Sequence, residues 1–141
     1  MNLSEALRTF FDARKPDGYL AVITFAGGKP STDAALGRLR EKLESKLGIP
    51  VLLSSGPRYL RYFEQVYKGG PPKGLFLIIT SEATEDLAIP GAGYTFGQLQ
   101  LALALSDFES LESRRKMAVR LHLTRGLEQG LAELEQIAQK L

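Results

Sequence analysis

The chain contains no cysteine and no tryptophan, and it has one histidine, His122. Without cysteine there are no disulfides and no thiolate chemistry, and a single histidine argues strongly against a His-built zinc site. No apolar run reaches the about 18 residues of a membrane span, and no basic-then-apolar leader occurs, so a cytoplasmic protein without membrane contact is expected. There is no block of one charge sign either. The 18 Lys+Arg are interspersed with 16 Asp+Glu, leaving a formal charge of +2. Despite a calculated pI near 8.9, that dispersion argues against nucleic acid as the main partner. Asn2 is the only asparagine, a scarcity found in heat-adapted proteins.

What is present fits one domain over residues 1–141. The chain is 44% hydrophobic and 24% charged, enough apolar surface for a single core. Asn2 and Glu5 have the spacing of a capping box for a first helix with Leu3, Leu7, Phe10 and Phe11 as its buried stripe. Tyr19–Phe25 and Leu75–Thr80 are near-continuous apolar runs of strand length, as expected when both faces of a sheet are covered. Val51–Leu53 and Met117–Leu123 supply two further strands. Helices are predicted from Ser31 or Thr32 to Gly48, from Pro57, over Phe96–Arg114 behind a Thr95–Gln98 capping box, and after a Thr124 cap. Strands alternating with helices predict an α/β three-layer sandwich, with a mainly parallel four-stranded sheet and helices on both faces.

In such sheets ligands bind beyond the carboxyl ends of the strands, where the crossovers diverge. Four connections lie there: Thr24–Pro30, Ser54–Arg58, Thr80–Glu85 and Leu123–Gly126. The second has the features of an anion site. Ser54 and Ser55 offer hydroxyls, Gly56 permits close backbone approach, and a helix opening at Pro57 would present unpaired N–H groups. Arg58 and Arg61 could add charge-assisted contacts. The plain alternative is a small-residue turn with proline at the first helical position and two solvated arginines, and such turns are common. Arg120 and His122 stand at strand spacing and share a side, which reads as a sheet-end pair rather than a catalytic base. No metal cluster, cofactor motif or self-contained catalytic apparatus is read from the spacing.

The combination GPRYLR and KGGP within Gly56–Pro71, then GLFLIIT, IPG and YTFG at Tyr94–Gly97, resembles the C-terminal sugar-isomerase (SIS-type) lobe of phosphoglucose isomerases. It looks closest to the form fused behind transaldolase. The likeness runs from Gly18 to about Leu131 and implies the sugar-isomerase and flavodoxin type of α/β sandwich. It also implies phosphosugar contacts from Ser54, Ser55, Gly56, Arg58, Arg61 and Lys68. The family interconverts aldose and ketose phosphates by proton transfer, with a glutamate base and a histidine for ring opening. Arg61 stands at the histidine position, and an arginine with a pKa above about 12 cannot cycle a proton near neutrality. Tyr67 replaces a second histidine, and Leu131 stands where some members place a lysine. The base glutamate motif has no match and would lie before Met1.

The resemblance therefore implies a lobe without a catalytic residue of its own. It would act as a phosphosugar-binding or partner module or, alternatively, as a fragment or split subunit that completes a glucose-6-phosphate isomerase site with another lobe. The helix from Phe96 is apolar around most of its circumference. That predicts a homodimer, or cover by a separate isomerase or transaldolase lobe, unless the first helix packs over it.

Overall fold

The computed structural model describes residues 2–25, 30–55, 73–81, 90–91, 93–94, 96–113 and 117–141. The helix expected from Pro57, and the Thr95 cap, lie outside these residues. The described elements are α1 (Leu3–Asp12), β1 (Tyr19–Thr24), α2 (Pro30–Leu47), β2 (Val51–Ser55), β3 (Gly74–Ser81), α3 (Phe96–Ser113), β4 (Met117–Leu123) and α4 (Leu127–Gln139). The four strands form one parallel sheet in the order β2-β1-β3-β4.

The two apolar runs become the two central strands. Leu20, Ala21, Val22 and Ile23 of β1 are fully buried, as are Phe76, Ile78 and Ile79 of β3. Alternate residues feed opposite layers. Leu20, Val22, Leu75, Leu77 and Ile79 pack with residues of α1, α2 and α4. Ala21, Ile23, Phe25, Phe76 and Ile78 pack with Ala104 and Leu111 of α3. The three-layer α/β sandwich is thus what the alternation of elements demands, and all of its strand pairs are parallel.

Local signals set most boundaries. Asn2 Oδ1 accepts the Glu5 backbone N–H at 2.8 Å, so the expected cap opens α1. Gly48, at φ 70°, ends α2 in a left-handed conformation that a side chain disfavours. α2 begins at Pro30, one or two residues ahead of the Ser31 or Thr32 start, because a proline at the first helical position loses no hydrogen bond. Thr124 does not cap α4. The preceding position is Gly126, at φ 91°, with no side-chain cap. β2 runs on to Ser55, beyond the expected Leu53, because ladder pairing of Ser54 with Ile23 and Ser55 with Thr24 needs backbone groups only.

One expectation about packing is corrected. α1 buries Leu7, Phe10 and Phe11 on the α2–α4 side of the sheet, whereas α3 lies on the other side. The first helix therefore cannot cover α3.

Candidate functional site at the carboxyl edge of the sheet

The connection leaving β1 passes to α2 on one face, and the connection leaving β3 passes to α3 on the other. β1 and β3 are neighbours, so the crossovers diverge between them, the position at which such folds bind ligands. Four strand ends border it. β1 contributes Thr24, which is buried, β2 contributes Ser54 and Ser55, β3 contributes Thr80 and Ser81, and β4 contributes His122 and Leu123.

Register decides which of these share a face. Ser54 pairs with Ile23, Ile23 with Ile78, and Ile78 with Arg120, while Thr80 pairs with His122. Ile23 and Ile78 belong to the α3 layer, so Ser54, Thr80, Arg120 and His122 all lie on the α3 face. Ser54 and Arg120 are three strand spacings apart, roughly 14 Å at about 4.8 Å each.

On β3 and β4 the side chains meet. Thr80 is only 3% exposed, and its Oγ1 lies 2.8 Å from His122 Nδ1. A buried hydroxyl needs such a partner. Arg120 Nη1 donates to the same Oγ1 at 3.5 Å, the long limit of a hydrogen bond. The hydroxyl oxygen can accept from Arg120 and still share a proton with Nδ1, as donor or acceptor according to the ring tautomer. The cluster offers a guanidinium, a hydroxyl and an imidazole within a small area. Donors of this kind suit an anion.

Of the residues expected to bind a phosphosugar, Ser54 and Ser55 close β2 at the carboxyl edge, on the strand next to β1. Gly56, Arg58, Arg61 and Lys68 lie outside the described residues. The turn after β4 is committed to structure, since Arg125 Nη1 donates to Glu133 Oε1 of α4 at 3.2 Å. The sequence placed Arg120 and His122 on one side but overlooked Thr80, which closes a run that reads as core. Its even spacing from Phe76 and Ile78 was the available signal.

The shifted carboxylates stand elsewhere. Glu135 of α4 is held below the ordinary carboxylate range, first by the hydrogen bond from Lys42 of α2 at 2.8 Å and then by the charges of Lys42 and Arg38. Asp17 is lowered in the same way by Lys73 at 2.6 Å. Among the described residues, no group of three or more His, Cys, Asp or Glu side chains could hold a metal ion. No described helix is long and apolar enough to cross a membrane.

No family model and no curated protein matches the chain. Among solved structures, the hypothetical protein TT0462 from Thermus thermophilus is similar over 96% of this chain and 37% of its own, with a TM-score of 0.74 at 17% identity. A flavodoxin from the domain Archaea aligns over 86% of this chain and 94% of its own, with a TM-score of 0.39 at 12% identity. The likeness to the Thermus protein is one of fold, and the present chain spans little more than a third of that protein's length.

Proposed function

We propose that the chain is a phosphosugar-isomerase-type lobe that binds a sugar phosphate at the carboxyl edge of its sheet and does not turn it over alone. One observation carries this reading. β2 ends in Ser54 and Ser55 at the edge where the crossovers diverge, and the stretch that follows is GPRYLR. A hydroxyl pair leading into a glycine and two arginines is chemistry for a phosphate. Turnover would need a proton carrier, and Arg61 in the histidine position cannot be one near neutrality.

Calorimetric titration with glucose 6-phosphate and fructose 6-phosphate tests the reading. Weak, salt-sensitive binding is expected, reduced most by Arg58→Ala. A coupled assay should show no conversion of one sugar phosphate to the other, and turnover at an ordinary rate of a few per second would overturn it.

A second reading draws on the Thermus protein, in which a similar fold forms only part of a longer chain. Here the lobe completes an isomerase site together with another lobe. Isomerase activity that appears only on mixing with a candidate partner lobe would favour it.

In either case α3 supplies the contact surface. It buries Ala104 and Leu111 but leaves Leu101 and Leu105 36% and 37% exposed, and α1 is on the wrong face to cover them. For the isolated chain the partner is a second copy in a two-fold pair.

A further inference from the structure

We infer that Arg120, Thr80 and His122 form an anion site on the α3 face of β3 and β4, taking a phosphate or carboxylate group of a small metabolite. This goes beyond the sugar-phosphate reading, which rests on the end of β2 roughly 14 Å away.

Arg120 carries a charge without a counter-charge among the described residues. Four cations there are half-buried: Arg14, Arg40, Lys42 and Arg120. Three of them lie within ion-pair distance of a carboxylate, Arg14 with Asp12 at 3.7 Å, Arg40 with Glu44 at 3.5 Å and Lys42 with Glu135 at 2.8 Å. Arg120 has no such partner among the described residues. Its hydrogen bond goes to a neutral hydroxyl, at 3.5 Å. Withdrawing a guanidinium from water is costly unless an anion or several acceptors compensate, and one long bond to Thr80 does neither.

The neighbours then say what would compensate. Thr80 is buried and anchors the His122 ring through Nδ1 at 2.8 Å, so the imidazole is positioned rather than left to rotate. Arg120 and His122 are two residues apart on one strand and therefore side by side on one face. A guanidinium presents five N–H donors in a planar fork, which matches the paired oxygens of a phosphate or carboxylate. Thr80 ties the two basic side chains together from beneath. An occupying anion would supply the acceptors that the long bond to Thr80 does not.

His122 is the only histidine, so its ring resonances report on this site alone. Titration with inorganic phosphate, and separately with citrate, should shift them in the wild-type chain. Arg120→Ala should weaken binding at least tenfold, the loss of a charge-assisted pair of about 1.4 kcal/mol or more. Arg120→Lys should restore part of it, while Ser54→Ala should stay within about twofold, being three strands away. Should Arg120→Ala fail to fold, Thr80→Val is the second variant, with a loss of about threefold to tenfold. His122 resonances that ignore both anions, or binding as tight in the variants as in the wild type, would overturn the inference. Glucose 6-phosphate binding that is sensitive to Ser54→Ala but indifferent to Arg120→Ala would overturn it while sparing the sugar-phosphate reading. Phosphate binding that depends on Arg120, without any response to glucose 6-phosphate, would support it and sink that reading instead.

Discussion

Gly130 shows how closely individual atoms are fitted in this chain. It is buried on α4, and a Cβ built there would stand 2.6 Å from Leu123 Cδ1 and 2.9 Å from Leu123 Cβ. Replacing glycine by alanine in a helix ordinarily gains up to about 1 kcal/mol. Here Leu123, itself buried at the end of β4, must move, and overpacking of this kind costs about 1–3 kcal/mol. The steric term wins, so Gly130→Ala should destabilise by about 1 kcal/mol in urea unfolding. A stabilised variant would mean that Leu123 has room to turn away. Thr80 teaches a different lesson about what a sequence reveals. The side shared by Arg120 and His122 was legible because strand geometry repeats every two residues. The hydrogen bond from Thr80 was not, because it depends on which strand lies beside β4 and in what register, and no local pattern encodes either.

At the scale of elements, local chemistry was the readable part. Capping at Asn2, the stop at Gly48 and the apolar runs of β1 and β3 all follow from single residues or short periods. The misplaced α4 cap has the same origin. Thr124 looks like a cap, but Gly126 reaches φ 91° without strain and takes the position. The contact of α2 with α4 also carries a testable pH dependence. Glu135 accepts from Lys42 and lies 3.6 Å from Arg38 Nε, which lowers its pKa from the ordinary 4.5. A carboxylate lowered by folding stabilises above its unfolded pKa, and that contribution fades as pH falls through the folded value. Glu135→Gln should therefore be less stable than wild type at pH 7 and equal to it once the wild-type carboxylate is protonated. The gap is expected to be small, since the ion pair is solvated. Thermal unfolding between pH 7 and pH 2 measures it, and a gap independent of pH would remove the ion pair from the explanation.

For the whole molecule, the open surface of α3 makes the most direct prediction. Leu101 and Leu105 are four residues apart, one helical turn, and both are exposed. If they meet their counterparts in a two-fold pair, Leu101→Glu together with Leu105→Glu should give a monomer with its far-UV circular dichroism unchanged. Light scattering on the wild type at micromolar concentration should give the mass of two chains, and a monomer at every concentration would discard the pairing. That α3 carries more apolar residues than one sheet face requires was plain from the sequence. Which face α1 occupies was not, because a short amphipathic helix reads the same on either side of a sheet.

Among the described residues, the order β2-β1-β3-β4 gives the sheet two rims of unlike character. β4 ends the sheet with Arg120 along it, and charge on an edge discourages another strand from adding to it. β2, at the opposite rim, reads VLLSS, with no charged side chain and with Leu52 and Leu53 exposed at 43% and 37%. A short, uncharged, β-prone edge is a template for intermolecular strand addition. Heating should therefore bring turbidity from this rim first. Leu52→Lys should delay the onset of light scattering while leaving the unfolding midpoint nearly unchanged, and a variant that clouds at the wild-type temperature would place the sticky surface elsewhere. Shelf life in concentrated solution, on this account, is set by the residues of β2 at one edge of the sheet.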